Sequence, residues 1–467
     1  MHVTEDKRRL LEELPVGRAL WTMAIPTIAS QLVNLVYNVV DAIFIGQTGD
    51  AYKTAAVTLA FTIFMMTASL GNLFGIGGGS LLARLAGGGH TDQAKGVSAL
   101  AFWGAVTVSL AYSSVIGLFL DPILTFLGAS PHTLGFARQY VLGVVVLGTL
   151  PIVLSVVAAH LLRHLGYSRQ AGFGLSAGGL LNVALDPLFM FVLLPDGLEV
   201  LGAALATLVA NTIACAYLVA TMARATSESP LSLDPRQLRH VRAAELRSFF
   251  GVGIPSALLT ALFDVANIVL NALTAAHGDL ELAAMGIVMK VERLPNAINI
   301  GLCHAMLPLV AYNYASGNHA RMKAVLATTR RWGLATAGLT LPLFLLFSPF
   351  VCRLFLNARA DVDPAAALAT LALAAGFLRI RCLALPLQFL NYNTSFCMQA
   401  VGYGAGTMLH ACARELLFYI PFMFVLDYCL GLSALTTAII FGEGSGALFA
   451  LWLFHRWQRH HLHPRHA

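Results

Sequence analysis

The chain has 467 residues, of which 58% are hydrophobic and only 11% are charged, and its formal net charge is +6. Soluble domains carry roughly 25% charged residues, so a chain with this balance could not cover its surface in water. Its basic residues are spread over many loops, which argues against a nucleic-acid interface. The composition therefore predicts an all-α polytopic protein whose outer surface faces the lipid bilayer.

Twelve apolar segments are long enough to cross a membrane, since a span needs about 20 residues. They cover residues 18–46, 54–80, 94–119, 134–160, 169–194, 201–224, 246–274, 280–310, 321–347, 363–396, 405–427 and 432–457. The first segment is longer than the apolar core of a signal peptide and has no small-x-small cleavage site after it. We expect it to be a membrane span rather than a cleaved leader.

Lysine and arginine are unevenly distributed among the loops between these segments. Most of the 29 lie near the chain ends or in every second loop, at 7–18, 84–95, 163–169, 224–247, 321–331 and 456–465. The opposite loops hold only Lys53, Arg138, Arg353 and Arg359. Because cytoplasmic loops are enriched in Lys and Arg, we expect a multi-pass protein of the cell inner (plasma) membrane with both termini in the cytoplasm.

The second half of the chain repeats motifs of the first half. The matches include Ile25-Pro26 with Ile254-Pro255, Gly49-Asp50 with Gly278-Asp279, Gly88-Gly89-His90 with Gly317-Asn318-His319, and Gly166-Tyr167 with Gly402-Tyr403. Each copy holds six spans, an even number, so both copies enter the membrane in the same orientation. The repeat predicts two six-helix bundles related by a parallel internal repeat, with a cavity between them.

These patterns divide the chain into five parts. We expect a cytoplasmic N-terminal tail at 1–17, an N-terminal six-helix bundle at 18–225, a cytoplasmic linker at 226–245, a C-terminal six-helix bundle at 246–457, and a cytoplasmic tail rich in His and Arg at 458–467. The histidines of the last tail could bind a metal ion. A solvated basic tail beside the lipid headgroups is the interpretation that we favour.

The first span carries a stripe of polar residues. Gln31, Asn34, Asn38 and Asp41 are spaced by three or four residues, so they share one face of a helix, with Tyr37 at its edge. Lipid cannot satisfy these groups, and the face should therefore look inward. The asparagines could serve only as bonds to neighbouring helices, whereas for the Asp41 carboxylate we favour a functional role.

A second polar pair lies in the fifth span. Asn182 and Asp186 are four residues apart on one face, and Pro187 follows them. If Asp41 and Asp186 face the same cavity, their carboxylates lie at low dielectric constant and need a cation to neutralise them. A proton would do so, and Na⁺ is the alternative because Asp, Asn and Thr oxygens suit a hard cation. Thr207 of the sixth span could add a hydroxyl.

The second half also has a polar stripe, but its charged residues are at positions that do not match those of the first half. We expect the cavity to be lined on this side by Asp264, Asn267, Glu292, Arg293 and Gln388. Lys290, Arg293 and Arg379 could equally form ion pairs inside the protein or extend toward the membrane surface. The sequence leaves the roles of these charges, including Arg381, open.

Several stretches together resemble the multidrug and toxic compound extrusion (MATE) family. They are Asn34–Gly46, Asn182–Pro187, Gly202–Thr207, Ala311–Tyr314 and Gln399–Tyr403. The resemblance implies two bundles around a cavity that opens to each side in turn. It also implies export of amphipathic, often cationic, small molecules in exchange for H⁺ or Na⁺, without a cofactor or a bound structural metal.

The resemblance further implies a coupling site in the N-terminal bundle. The residues that match the family's positions are Asp41, Asn182, Asp186, Thr207 and Tyr140. Na⁺ would bind at the first four of these if Na⁺ is the coupling ion. We expect the protein to act as a monomer with no nucleic-acid partner, on small-molecule substrates that the sequence does not identify.

Three other functions compete with this interpretation. A flippase for a lipid-linked precursor, from the same superfamily, would need a cavity dominated by arginine to hold phosphate. A membrane-embedded enzyme would need a clustered nucleophile or metal-binding set, and we find none in the sequence. A channel would not need the two-half repeat, which favours a transporter.

Overall fold

The computed structural model describes residues 5–355 and 364–462 of the chain, and nearly all of them lie in helices. In the first half the helices are α1 (Glu5–Glu12), α2 (Val16–Gln47), α3 (Ala51–Gly87), α4 (Thr91–Leu118), α5 (Leu120–Phe126), α6 (Leu134–Val141), α7 (Thr149–His164), α8 (Ser168–Leu188) and α9 (Glu199–Ala225). Wider π-helical turns follow α6 at Leu142–Leu147 and α8 at Phe189–Leu193.

The second half repeats this order after a short 3₁₀ helix at Pro235–His240. Its helices are α10 (Ala243–Ala275), α11 (Asp279–Ala315), α12 (His319–Phe355), α13 (Pro364–Arg381), α14 (Leu385–Ala400), α15 (Gly404–Cys412), α16 (Ile420–Leu430) and α17 (Leu432–His461). A 3₁₀ turn joins α13 to α14, and a π-helical turn at Ala413–Tyr419 joins α15 to α16.

Within the described residues, eleven helical segments are long and apolar enough to cross a membrane. The twelfth span is α6 and its π turn together with α7, which meet at a bend of 44°. Such wide turns interrupt the regular ladder of backbone hydrogen bonds and allow a helix to bend. The predicted fold class, an all-α membrane protein of twelve spans in two six-helix halves, is confirmed.

The backbone repeats the turns of the first half in the second. Gly89 and Gly317 both have positive φ, at 77° and 79°, and so do Gly166 and Gly402, at 86° and 79°. Residues with a side chain rarely adopt this conformation. The shared conformation pairs Gly317 with Gly89 rather than with Gly88, the partner that the motif match predicted.

Among the described residues, the two halves share one large apolar cluster at one end of the molecule. We call this end the terminal side, because α1 and the last turns of α17 both contribute to the large apolar cluster there. That cluster also joins the two halves, through Ile76 and Ala83 of α3 with Val252 of α10. At the opposite end, each half of the described chain has an apolar cluster of its own. The helices therefore leave a cavity that is closed on the terminal side.

Small residues permit the close approach of α3 and α10. A Cβ atom on Gly77 would lie only 2.8 Å from the Cα of Gly253. Ser80 Oγ donates a hydrogen bond to the backbone oxygen of Gln399 at 2.6 Å, and Arg84 Nη2 donates to Ser248 Oγ at 3.0 Å. These contacts all lie in the terminal-side portions of their helices, and they hold that end shut.

The predicted N-terminal tail, 1–17, holds more structure than we expected. Leu10 and Leu11 of α1 are buried, and the Leu11 carbonyl accepts hydrogen bonds from Asn313 and Arg321, both at 3.0 Å. The Tyr312 hydroxyl donates to Glu12 at 2.6 Å. The segment before the first span therefore docks on the second half of the molecule.

The predicted linker, 226–245, also packs against a bundle. Trp103 of α4 donates its indole N–H to the carbonyl of Leu233 at 2.8 Å, and Leu231 is buried. The helix α10 begins at Ala243, three residues before the predicted bundle boundary at 246. Its start is stabilised because the Glu245 carboxylate accepts a hydrogen bond from the Arg242 backbone N–H at 2.9 Å.

Candidate cation site and central cavity

A polar cluster lies inside the first half, where α2, α8 and α9 pack together. Glycines on α8 allow this packing: a Cβ on Gly179 would lie 2.8 Å from the side chain of Val33 on α2. We call Asp41, Asn182, Asp186 and Thr207 the carboxylate cluster. Its members come from three different spans, so only the folded bundle brings them together.

Asn182 is the centre of the cluster. Its amide Nδ2 donates to Asp186 Oδ1 at 3.2 Å and to Thr207 Oγ1, also at 3.2 Å. All three residues are buried, and Asp186 has no exposed surface. The i, i+4 spacing in α8 and the neighbouring α9 therefore produce the arrangement that the sequence pattern suggested.

Asp41 faces the same cluster from α2. It lies close enough to Asp186 for the two carboxylates to interact electrostatically, and Tyr140 is buried beside them. Three buried oxygens of the cluster, Asp41 Oδ1, Asn182 Oδ1 and Asp186 Oδ2, have no hydrogen-bond partner. None of the ion pairs among the described residues includes either aspartate. Two carboxylates and unpaired oxygens without a cationic partner form an arrangement that a proton or Na⁺ would complete.

A cavity of about 400 Å³ lies between the two halves. Polar residues of the first half line one wall, and the other wall comes from α10, α11, α14 and the π turn that carries Arg414. The polar and charged lining includes Gln31, Asn34, Tyr37, Asn38, Asn182, Thr260, His304, Gln399 and Arg414. Aromatic and thioether groups, Phe64, Met65, Phe263 and Phe396, contribute apolar surface. The volume and the mixed lining suit a small amphipathic molecule.

The four first-span residues predicted to line the cavity do so, whereas the five second-half residues do not. Gln31, Asn34, Tyr37 and Asn38 are in its lining, but Asp264, Asn267, Glu292, Arg293 and Gln388 are absent from it. Glu292 instead accepts two hydrogen bonds from Arg381, both at 2.9 Å. Gln388 is buried in the bundle, and Arg293 is exposed. Pairing with Arg381 accounts for Glu292, and burial in the bundle accounts for Gln388; residue spacing reveals neither.

A second buried ion pair of the second half reaches the cavity wall. Arg414 donates to Glu443 at 2.5 and 3.0 Å, and it lies 3.5 Å from Glu415. Asn391 Nδ2 donates to the same Glu443 carboxylate at 2.6 Å, and Asn391 Oδ1 accepts a hydrogen bond from His410 Nε2 at 2.9 Å. This network links α14, α15, the π turn and α17. Both buried carboxylates of the network, Glu415 and Glu443, form ion pairs with Arg414.

Three residues that the sequence did not assign to the cavity lie at its terminal-side end, and two of them, His160 and His304, were expected to be packed polar residues. Arg163 and His160 of α7 and His304 of α11 line this end, which we call the basic floor. The rings of His160 and His304 are 5.1 Å apart and belong to opposite halves. The predicted fourth span ends at residue 160, so the sequence placed Arg163 in the following loop.

Comparison with known proteins agrees with this architecture. The model of the MatE family matches residues 26–188 and 255–425. Multidrug export protein MepA from Staphylococcus saprophyticus is 27% identical over 449 residues, covering 96% of this chain and 95% of the relative. The protein of that name from Staphylococcus aureus is also 27% identical, over 448 residues, with the same coverage.

Solved structures show the same fold. A MATE crystal structure in complex with MaL6 superposes with a TM-score of 0.88 at 23% identity, covering 97% of this chain and 98% of the other. A transporter of the MOP superfamily from Pyrococcus furiosus gives a TM-score of 0.89 at 22% identity, covering 98% and 99%. The family match spans both six-helix halves, and the chain therefore belongs to the MatE family.

Proposed function

We propose that this protein is a secondary active efflux transporter that exports amphipathic, often cationic, small molecules in exchange for H⁺ or Na⁺. The family membership and the names of the staphylococcal relatives support export of small molecules. The observation that carries the proposal is the carboxylate cluster, a pair of neighbouring acids inside the membrane without a cationic partner among the described residues.

Cation binding at this cluster would change the energy of the whole first half. With the site empty, two buried negative charges repel each other at low dielectric constant. An ion that neutralises Asp41 and Asp186 removes this cost and lets α2 repack against α8 and α9. The ion can shift the conformational equilibrium only through its different affinities for the two states. If repacking changes the spacing of the unpaired oxygens of Asp41, Asn182 and Asp186, the ion would bind one conformational state more tightly than the other.

The cavity and the closed terminal side support alternating access. We propose that the present state is open away from the termini and that the termini lie in the cytoplasm of a cell whose inner membrane holds the protein. Ion binding from outside then favours release of the bound molecule and closure of the outer end. Opening of the terminal side separates the contacts between α3 and α10 and releases the ion inward. One chain contains both halves, so we expect a monomer to suffice.

The experiment that tests this proposal measures efflux of a fluorescent cation from vesicles containing the purified protein. Separate arms impose a pH gradient, a Na⁺ gradient or neither. We expect one of the two gradients to drive efflux, which identifies the ion. Dye release at the same rate without any gradient would indicate a channel and contradict the proposal.

Variants locate the coupling site in the same assay. Asp41→Asn and Asp186→Asn should each reduce gradient-driven efflux to the level of protein-free vesicles, with the protein still folded. Asp121→Asn is the matched control, because Asp121 forms an exposed ion pair with Arg138 outside the cavity. Undiminished gradient-driven efflux in both cluster variants would refute the proposed site.

A further inference from the structure

One buried cation in the described part of the chain differs from the others. Lys53, Arg163, Arg381 and Arg414 are the buried lysine and arginine residues there. Lys53 contacts Glu199 at 2.7 Å, Arg381 contacts Glu292 at 2.9 Å, and Arg414 contacts Glu443 at 2.5 Å. Arg163 is 3% exposed, its Nε has no hydrogen-bond partner, and no described ion pair includes it. A permanently charged guanidinium has thus been buried without a counter-ion, an energetically unfavourable arrangement.

The surroundings of Arg163 supply more donors and no acid. His160 lies one turn earlier on α7, and its Nδ1 has no hydrogen-bond partner. His304 approaches from α11 of the other half, and His164 Nδ1 bonds to the His160 carbonyl at 2.7 Å. On the third side, Gly75 of α3 lies against the ring of His160 and Gly79 lies against the ring of His164. Among the described residues, the charged or titratable groups that act electrostatically on His160 and His304 are Arg163 and the neighbouring histidines.

We propose that the basic floor binds a carboxylate of the transported molecule. This inference rests on the proposed function and narrows its substrate class. A carboxylate would pair with the Arg163 guanidinium and accept N–H bonds from His160 and His304, which would satisfy the unpaired atoms. Arginine suits this task because its planar fork matches a carboxylate geometrically.

The polar lining differs between the two ends of the cavity. Asn38 and Asn182 line it beside the carboxylate cluster, and the basic floor forms its terminal-side end. Phe64, Met65, Phe263 and Phe396 contribute the apolar surface. The matching ligand is a small zwitterionic amphiphile, with a cationic group toward the end lined by Asn38 and Asn182, an apolar body and a carboxylate toward Arg163. Its carboxylate would touch both halves where they meet, through Arg163 and His304.

The test compares two forms of one fluorescent dye. A rhodamine with a free carboxylate is a zwitterion, and the methyl ester of the same dye is a monocation of nearly the same shape. Binding to the purified full-length protein is followed by fluorescence polarisation without any ion gradient. We expect the wild type to bind the free acid about tenfold or more tightly than the ester, as a charge-assisted pair predicts.

Arg163→Gln should remove that preference by weakening only the free acid. The ester reports whether this variant is folded, and Arg163→Lys, which keeps the charge, should retain part of the preference. Arg169→Gln is the matched control because Arg169 lies six residues further along the chain on an exposed face. Equal affinity of the wild type for both dyes, or equal weakening of both by Arg163→Gln, would overturn the inference. Because binding needs no gradient, these results are independent of whether ion-driven efflux occurs.

Discussion

The two halves share one fold, but the buried glutamates of the second half have arginine partners that the acids of the carboxylate cluster in the first half lack. In the first half, Asp41 and Asp186 lie close together with no cationic side chain beside them. In the second half, Glu292 lies against Arg381, and Glu443 and Glu415 both lie against Arg414. A buried carboxylate that is paired with an arginine needs no ion from solution. An unpaired buried carboxylate needs a cation from solution to neutralise it. Under the proposed function, the first half would respond to ions and the second half would serve as a fixed frame.

The largest effect should come from placing a permanent cation beside the carboxylate cluster of the first half. Asn182→Lys would place an ammonium group beside Asp186 and Thr207, where the amide now donates its hydrogen bonds. This permanent cation would replace the coupling ion, so gradient-driven efflux should fall to the level of protein-free vesicles. The thermal midpoint of the purified variant should no longer depend on pH or Na⁺ concentration.

Asn182→Leu separates the effect of charge from the loss of the amide. It removes the same hydrogen bonds but adds no cation, so its thermal midpoint should still respond to the coupling ion. If Asn182→Lys kept ion-driven efflux, the carboxylate cluster would not be where the ion acts.

A large effect on stability is expected when a pair of the second half is broken. Arg381→Met leaves Glu292 buried without its partner, which should reduce the free energy of unfolding by about 3–5 kcal/mol. The double variant Glu292→Met with Arg381→Met should recover most of this loss and keep gradient-driven efflux. Denaturant unfolding in detergent and the vesicle assay provide the two measurements. Loss of ion coupling in a stable double variant would mean that the second half is more than a frame.

A smaller effect should follow from removing one hydroxyl of the carboxylate cluster. Thr207→Val deletes the oxygen that accepts a hydrogen bond from Asn182 at 3.2 Å. A neutral hydrogen bond contributes about 1 kcal/mol, so the half-saturating ion concentration for efflux should rise about fivefold. Thr212→Val is the control, because Thr212 is exposed on the same helix and bonds only to the Leu208 carbonyl. An equal rise in both variants would exclude a specific role for Thr207.

The smallest effect concerns the docking of α1 on the second half. Burial would raise the pKa of Glu12, but hydrogen bonds from Tyr312 and Arg8 outweigh it and hold the pKa below its usual value of 4.5. A lowered folded-state pKa contributes stability above the unfolded-state pKa and loses it as the pH falls through the folded-state pKa. Glu12 is partly exposed to solvent, so the contribution should stay below about 1 kcal/mol.

Tyr312→Phe tests this contact. It removes the hydrogen bond to Glu12 and should lower the thermal midpoint slightly at pH 7. The difference between this variant and the wild type should shrink as the pH approaches 4. A difference that grows at low pH would contradict the assigned interaction.

Local spacing was sufficient to predict most of the architecture and half of the cavity. Long apolar segments can only be helices in lipid, and the i, i+4 spacing of Asn182 and Asp186 already places both on one face of α8. The same holds for the polar stripe of α2, because a single helix determines which of its residues share a face. These features depend on residues close together in the sequence.

Features that depend on distant residues could not be predicted in this way. Glu292 was expected in the cavity, but its partner Arg381 lies 89 residues further along the chain. The span that ends in α7 continues to His164, beyond the predicted end at 160, so Arg163 is buried rather than in a loop. The helix α1 is short and highly charged, and only contact with α11 and α12 explains why it folds there. The histidines at 463 and 466 of the predicted tail lie outside the described residues.

The most direct test of the central claim records cation uptake and dye release together, in the same vesicles, for the wild type and for Asp186→Asn. If the unpaired acids of the first half exchange an ion for the transported molecule, the two fluxes rise together in the wild type with a constant ratio. Both should vanish in the variant when an ion gradient is the only driving force. Cation uptake and dye release that persist in Asp186→Asn at the wild-type ratio would contradict the account.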